Sequence, residues 1–492
     1  MSDITTERPA ADPKPRLGPQ YAKLWTASVV SNLGDGIGFV AYPWLASAIT
    51  RNPLLIALIA VAQRLPWLVF TLPAGVITDR VDRRKLIVLM DVIRAGLTLA
   101  VAFVVLAEND LPTPDQVAAG TAVATDAVLY TVLLLATLLL GCAEVLRDNA
   151  AQTILPAIVA PEALESANGR MWGAEMVANS FAGPPLGSLL IGVTFALPFF
   201  VDAGSFAVAA GLVFMLSGDF RTRGRETGQR VNWKTEIGEG FRWLWRHPLL
   251  RPMAIILGFL NGLGMIAFAT LVLFAQEVLE VDAFLFAVLG TGGAIGGVVG
   301  SWLAPGISRR LGSGASLYLT LVASVVTSLV IGITSSWVVT WVMFMVMTFA
   351  AVVWNVITVS LRQTIIPDRL LGRVNSVYRF FGWGMMPLGL AAGGLLVWFG
   401  EQVSDRVFAL RLPWLVSAAA YLVLFFYAVP RLTTEKVESA RAEGIAAKRA
   451  EGGSEPGATE AEVTTGAFSE TAVATAPPPI DLDRPSRLDE EE

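Results

Sequence analysis

The sequence predicts an all-α membrane protein whose twelve transmembrane helices form two pseudo-symmetric halves of six helices each. The first observation behind this prediction is composition: 54% of the 492 residues are hydrophobic and 16% are charged, whereas soluble proteins carry roughly 25% charged residues. The second is a series of apolar segments between Leu24 and Tyr427, each near the twenty residues that a helix needs to cross a bilayer. The third is an internal repeat, described below.

The predicted organisation of the chain follows from where the apolar segments begin and end. Residues 1–23 are polar and lack the apolar core and cleavage site of a signal peptide, so we expect a cytoplasmic tail. The N-terminal half covers residues 24–217, and the C-terminal half covers residues 252–430. The predicted spans are residues 24–49, 54–78, 86–107, 127–149, 171–193, 197–217, 252–276, 283–306, 314–334, 337–360, 376–399 and 413–430.

Two polar segments flank the C-terminal half. Residues 218–251 are the predicted cytoplasmic linker, and they contain an amphipathic helix that suits the membrane interface, with a regulatory contact as the alternative. The apolar face of this helix consists of Trp233, Ile237, Phe241, Leu244 and Trp245. Residues 431–492 are predicted to be a disordered acidic tail, because residues 435–492 hold 14 acids and 6 bases and few apolar side chains.

Basic residues orient the predicted spans. One set of loops holds twenty Lys and Arg residues, and the opposite set holds only Arg51, Arg406 and Arg411. Since cytoplasmic loops retain basic residues, the richer set is predicted to be cytoplasmic. Both termini then lie in the cytoplasm.

A short sequence is repeated at corresponding places in the two halves. QTILP at residues 152–156 follows the fourth predicted span, and QTIIP at residues 363–367 follows the tenth. Such duplication is typical of secondary transporters, in which the substrate site lies between two repeated halves near the middle of the membrane.

The loop after the second predicted span carries the most specific motif. Residues 75–85 read GVITDRVDRRK, with Gly75, Asp79, Arg80, Arg83 and Arg84 at fixed spacing. This loop resembles the signature of the major facilitator superfamily, and the resemblance implies a gating loop that latches the two halves in one state. The alternative is that its bases only enforce topology. The second copy departs from the pattern, because Ala304 stands in the place of the acid.

The fifth predicted span carries a second motif. Gly183, Pro184 and Gly187 belong to the sequence GPPLG, which resembles the motif of proton-coupled antiporters in this superfamily. The resemblance implies export. Prolines remove backbone donors and glycines permit close helix packing, so the segment is expected to kink against a neighbouring helix. An ordinary membrane-helix kink is the alternative.

Three further segments narrow the resemblance. They read SNLGDG at residues 31–36, RLPW at residues 64–67 and FRWLWRHP at residues 241–248. Together they resemble the branch of the superfamily that contains macrolide-type drug exporters and enterobactin-type siderophore exporters. The resemblance implies a bacterial inner-membrane protein, and we expect it to act as a monomer.

Asp35 and Arg64 are the leading candidates for proton coupling. Asp35 lies about 18 Å along the first span from Lys23, and Arg64 lies about 17 to 22 Å from either end of the second. Because an isolated intramembrane charge is costly, the two side chains are predicted to form an ion pair in which Asp35 binds the proton and Arg64 sets its affinity. A permanent structural pair is the alternative.

Four other polar residues are weaker candidates for the substrate and proton site. Asn32 shares a helix face with Asp35. The resemblance to the superfamily implies that Glu144, Asn261 and Asn355, in the fourth, seventh and tenth spans, face a central cavity. Each of them is equally suited to bond a neighbouring backbone group.

Other function classes are excluded by what the chain contains. Its single cysteine and single histidine exclude a disulfide framework and a histidine or cysteine metal site, and no cofactor is expected. No phosphate-binding ATPase loop or nucleophile elbow occurs, so neither an ATP-driven pump nor an enzyme is expected. The predicted function is export of small amphipathic molecules, drug-like or siderophore-like, in exchange for protons. The expected partners are the substrate, protons and the lipid bilayer, without nucleic acid. A proton-coupled importer and a non-transporting sensor are the alternatives.

Overall fold

A computed structural model describes residues 17–78, 81–121, 125–160, 163–218, 220 and 233–452. Within these ranges the chain forms helices and no strands. The helices are α1 (Gly18–Ile49), α2 (Pro53–Thr78), α3 (Arg83–Ala107), α4 (Pro114–Ala118), α5 (Ala127–Ile158), α6 (Leu164–Met176), α7 (Gly183–Val193), α8 (Leu197–Phe214), α9 (Trp233–Arg246), α10 (Leu250–Phe268), α11 (Leu271–Glu277), α12 (Ala283–Leu311), α13 (Ser313–Ile333), α14 (Trp337–Ile365), α15 (Asp368–Val403), α16 (Arg406–Ala428) and α17 (Thr434–Gly452).

The predicted all-helical architecture with two six-span halves is confirmed. Eleven helical segments in the described part of the chain are long and apolar enough to cross a membrane. The twelfth long helix is α1, which has 32 residues and carries polar residues of the site described below. A π-helical turn (Val177–Ala182) joins α6 and α7 into one continuous span.

The same pairs of spans pack together in each half. In the N-terminal half α1 packs on α7, α2 on α5 and α3 on α8. The C-terminal half repeats these pairings as α10 with α15, α12 with α14, and α13 with α16. Small residues let the backbones approach closely, since a Cβ at Gly296 would clash with the carbonyl of Met345.

The two halves meet at one end of the bundle, here called the closed end, which lies opposite the basic loops. One hydrophobic core there combines residues of both halves, including Trp44 and Ile49 of α1 with Leu271 and Phe274 of α11. At the other end, called the basic end, the cores of the two halves are separate clusters. The halves therefore share a core at the closed end only.

Polar side chains reinforce the closed end. Arg51, between α1 and α2, lies 3.6 Å from Glu277 of α11 and also hydrogen-bonds Gln276. Arg406 at the start of α16 donates to Glu277 at 2.9 Å and to the backbone carbonyl of Arg51 at 3.0 Å. Gln276 donates to Ser47 of α1 at 2.9 Å. Glu277 thus holds two arginines, one from each half.

The prediction that residues 431–492 are disordered is wrong for the part that forms α17. Ser313 donates to Glu438 at 2.7 Å, and a Cβ at Gly444 would lie 2.7 Å from the carbonyl of Thr364. Val437 is fully buried. The acidic composition of the whole tail concealed a short segment whose apolar and small residues pack against α13 and α14. Residues 453–492 lie outside the described ranges.

The linker contains α9, which packs on α15 and α10. Arg373 of α15 pairs with Glu239, and Gly240 lies against the carbonyl of Arg373. Phe241 and Trp245 remain partly exposed, and their rings stack 5.4 Å apart. This exposed aromatic face suits the membrane interface.

Candidate functional site

Asp35 pairs with an arginine other than the predicted Arg64. Its carboxylate accepts a hydrogen bond from Arg94 of α3. Arg94 is 3% exposed and Asp35 is 31% exposed. The predicted pairing with Arg64 is wrong: Arg64 is exposed, and no ion pair joins it to Asp35 among the described residues. Asp35 and Arg64 were predicted to lie at a similar depth in the membrane, but depth does not determine which face of a helix a side chain occupies. Extensive packing brings α2 against α5 and α15 rather than α1.

The ion pair belongs to a larger charged network in the N-terminal half. Arg94 lies 3.6 Å from Asp91, one turn before it on α3. Arg147 of α5 lies 3.5 Å from the same carboxylate and 3.1 Å from Asp148. Asp91 is completely buried, which is tolerated because two guanidinium groups flank it. The network connects α1, α3 and α5.

Capping side chains set the start of the helices that carry this network. The Asp82 carboxylate accepts from the Lys85 backbone amide at the start of α3 at 3.2 Å. Asp126 accepts from the amides of Val128 and Leu129 at the start of α5, each at 2.9 Å. Such caps stabilise the first turn by about 1 kcal/mol each. By setting where α3 and α5 begin, these caps help to determine the positions of Arg94 and Arg147.

Two of the weaker candidates lie near this network. Asn32 is buried, and its side-chain amide donates to the carbonyl of Ser28 at 2.9 Å. The Asn32 side-chain oxygen accepts a hydrogen bond from Asn179 of the π-helical turn at 3.5 Å. Glu144 is half-buried and interacts electrostatically with Asp35, Arg94 and Arg64. It makes no ion pair with any described residue.

The candidates in the C-terminal half do not join the network. Asn261 donates to the backbone carbonyl of Gly382 at 2.8 Å, a contact that ties α10 to α15. Asn355 is half-buried on α14, and its side chain makes no hydrogen bond within the described part of the chain. The charged network in the described membrane interior is therefore confined to one half.

The signature loop is described only in part. Asp79 and Arg80 lie outside the described residues, and Gly75 lies in α2. Arg83 donates to the carbonyl of Thr153 at 2.8 Å, and Arg84 donates to the carbonyl of Leu216 at 2.6 Å. Both acceptors belong to the N-terminal half, so these arginines tie the basic ends of α5 and α8 to α3.

The Gly-Pro segment packs directly beside Asp35. A Cβ at Gly183 would lie 2.5 Å from the Cα of Gly36, and one at Gly187 would lie 2.7 Å from the carbonyl of Ile37. The Gly183 amide bonds the carbonyl of Ala178, five residues earlier. Pro184 has no amide and its ring crowds the preceding turn, so a widened π-helical turn at this point relieves the clash.

An apolar cavity of about 350 Å³ lies between the two halves. This volume is in the range of small-molecule sites. On the N-terminal side it is lined by Phe39, one turn from Asp35 on α1, and by Met176 and Ser180. On the C-terminal side it is lined by Phe268, Leu271, Phe286, Leu289, Gly290, Gly293, Ala294, Gly297, Phe344, Met347 and Thr348. No charged side chain lines it.

Three features of this site were not predicted from the sequence. Arg94 and Asp91, three residues apart on α3, were not among the predicted site residues. Asp202 of α8 was not among them either, although it is 3% exposed and packs against Gly34 of α1. The aromatic lining of the cavity, which includes Phe39, Phe268, Phe286 and Phe344, was not predicted.

Comparisons relate this arrangement to known proteins. The model of the Major Facilitator Superfamily matches residues 24–389. The multidrug efflux pump Tap of Mycolicibacterium fortuitum is 27% identical over 414 residues, covering 81% of this chain and 94% of that pump. The pump of the same name from Mycobacterium tuberculosis is 25% identical over 388 residues, covering 77% and 87%.

Solved structures share the fold at low sequence identity. A bacterial homologue of the lysosomal transporter Spinster, in an inward-facing conformation, has a TM-score of 0.60 and 14% identity, with 88% of this chain and 99% of that chain covered. The nucleoside transporter NupG has a TM-score of 0.60 and 12% identity, with 84% and 99% covered.

Proposed function

Because the chain belongs to the Major Facilitator Superfamily, we propose that it exports small amphipathic organic molecules from the cytoplasm in exchange for protons. The observation that carries this proposal is the position of the Asp35–Arg94 pair one helical turn from an apolar cavity between the halves. The relatives named multidrug efflux pumps favour export. Both halves of one chain line the cavity, so a monomer suffices.

The proposed substrate class follows from the chemistry of the cavity. Its aromatic and methionine side chains favour an apolar ring system or a branched hydrocarbon portion. Asp35, which is partly exposed and lies one helical turn from Phe39 of the cavity wall, favours a polar group on the same molecule. An amphipathic molecule satisfies both.

We predict that filling the cavity reduces transport. Gly293 lies in its wall, where an added Cβ would be 3.1 Å from the Thr348 hydroxyl. Gly293→Leu should lower efflux of rhodamine 6G from cells at least tenfold, equivalent to about 1.4 kcal/mol. Gly306→Leu is the matched control, because Gly306 lies on the same helix and a Cβ there meets nothing within 4 Å. Equal efflux by the two variants at equal expression would refute the assignment.

The proposed transport cycle uses the two ends of the bundle in turn. The basic end is assigned to the cytoplasm by the positive-inside rule, which puts both termini there and the closed end outside, in a bacterial inner membrane. Separate cores at the basic end and a shared core at the closed end then correspond to a cytoplasm-facing state. Export requires the closed end to open.

Glu277 is expected to hold that end closed. Glu277→Gln removes the charge that holds Arg51 and Arg406, each such bond contributing about 1.5–3 kcal/mol. We expect the outward-open population to rise at least tenfold. Spin labels at Asn109 and Ser404, in a background lacking Cys142, would report it as a longer distance. Glu280→Gln, an exposed acid in the same segment, should leave the distances unchanged, and an unchanged distribution in Glu277→Gln would contradict this role.

In the proposed coupling, a proton and the Arg94 guanidinium compete for the Asp35 carboxylate. A proton on Asp35 removes the charge that Arg94 pairs with, and loss of the proton restores it. Moving one charge across the membrane supplies about 2.3 kcal/mol per 100 mV, enough to bias the two states.

Transport in liposomes tests the proposal. Purified protein in vesicles with an acidic lumen should accumulate rhodamine 6G in the lumen, and a protonophore should abolish the accumulation. An importer that moves substrate and protons together would instead accumulate the dye when the outside is acidic. A sensor would move none. Either of these results would overturn the proposed function.

A further inference from the structure

Asp202 lies inside a tightly packed contact between α8 and α1. It is 3% exposed, whereas Asp35 retains 31% exposure. Gly34 makes room for it, since a Cβ at Gly34 would clash with Asp202 Oδ1 and Ser205 Oγ. The Ser205 hydroxyl donates to the backbone carbonyl of Asp202 at 2.7 Å. The carboxylate therefore sits in a space built for it, behind α1.

No donor reaches Asp202 Oδ1 from the described part of the chain. The titratable and charged groups that act on it are Asp35 and Tyr42 from α1 and Arg94 from α3. The remaining helix in close contact with α8 is α7, which has no titratable residue. Burying an ionised carboxylate with one oxygen that no donor reaches costs more than burying its protonated form. This environment therefore suits a carboxylic acid.

Arg94 acts on both carboxylates. Its guanidinium pairs with Asp35 and lies 3.8 Å from the ring centroid of Phe206, one turn beyond Asp202 on α8. It interacts electrostatically with both Asp35 and Asp202. In this state the Arg94 guanidinium bonds Asp35 and lies 3.6 Å from Asp91, while it acts on Asp202 without a hydrogen bond to it in the described part of the chain.

We propose that Asp202 is a second proton-binding group of the transporter, which exchanges Arg94 with Asp35 so that one carboxylate pairs with the arginine while the other holds the proton. This inference rests on the proposed proton-coupled export and assigns the proton in the present state to Asp202. When Arg94 moves to Asp202, the Asp202 proton is released to water and Asp35 accepts one proton in its place. The number of protons and the charge of the three groups are conserved over the exchange.

Infrared spectroscopy tests the location of the proton without any substrate. The purified full chain should show the C=O stretching band of a buried, protonated carboxylic acid at neutral pH. Asp202→Asn should remove that band, and Asp202→Glu should keep it at a shifted frequency. Asp35→Asn should also remove it, because Arg94 is then free to pair with Asp202. Asp110→Asn, in an exposed loop, is the matched control and should leave the spectrum unchanged.

A band that survives Asp202→Asn would overturn the proposal, as would an Asp35→Asn variant that keeps it. If Asp202→Asn does not fold, the frequency shift in Asp202→Glu decides the question alone. In liposomes Asp202→Asn should lose dye accumulation driven by the pH gradient while keeping downhill dye movement, and full accumulation would refute the assignment. If the wild-type protein moves no dye, the proposed function fails, and the infrared result still reports whether Asp202 carries a proton.

Discussion

Replacing Asp35 with asparagine is expected to abolish uphill transport while leaving downhill transport intact. Asparagine keeps the size of the side chain but can neither carry the negative charge that holds Arg94 nor bind a proton. For one proton exchanged per dye molecule, a pH gradient of about two units supplies about 2.7 kcal/mol, which corresponds to roughly hundredfold accumulation at tenfold per 1.4 kcal/mol. The accumulation ratio of rhodamine 6G in liposomes should fall from that range to about one.

Two measurements make this expectation specific. Exchange of labelled for unlabelled dye across the membrane should persist in Asp35→Asn, because exchange requires alternating access but no net proton movement. Asp110→Asn, which changes an exposed loop carboxylate, should behave as the wild type. Full uphill accumulation by Asp35→Asn at normal expression would show that Asp35 is not the coupling group.

Replacing Arg94 is expected to cause the largest loss of stability in the charged network. Arg94→Gln leaves Asp35 without its partner and Asp91 with only Arg147, at 3.5 Å. Breaking a buried ion pair from one side typically costs about 3–5 kcal/mol. The midpoint of thermal unfolding in detergent should therefore fall strongly, and uphill transport should be lost.

Arg64 provides the matched control for this prediction. It lies at comparable depth on α2 but is exposed, so Arg64→Gln should change stability by about 0.5 kcal/mol or less. The double variant Arg94→Gln with Asp35→Asn should recover part of the stability, because it removes one of the unpaired charges. If Arg64→Gln lost more stability than Arg94→Gln, the result would favour the predicted pairing of Asp35 with Arg64 over the observed pairing with Arg94.

Most of the fold was predictable because membrane spans are recognisable in a sequence by their length and composition. Every backbone polar group in lipid must be satisfied within its own helix, so apolar segments of the right length specify helices and little else. The repeated QTILP and QTIIP segments indicated two halves, and the same span pairings recur in both. The tail was mispredicted because its average acidity outweighed the few buried residues of α17, such as Val437.

The site was predictable in its residue types and not in its pairings. Asp35 was found because a carboxylate in the middle of a span is costly and calls for a partner. Its partner could not be chosen, since depth along the helix is readable from sequence whereas the direction of the side chain depends on how α1, α3 and α8 pack. Asp202 was passed over for the same reason: it lies only five residues into α8, and its burial comes from Gly34 on another helix.

The π-helical turn before Gly183 changes the direction in which the residues of its span face. A π turn holds one more residue than a regular turn, so the residues on either side of it are rotated by roughly 100° relative to an uninterrupted helix. Met176 and Ser180 can therefore face the cavity while Gly183 and Gly187 face α1. The extra residue rotates one part of the span relative to the other. One part of the span can then line the cavity while the next part packs against α1.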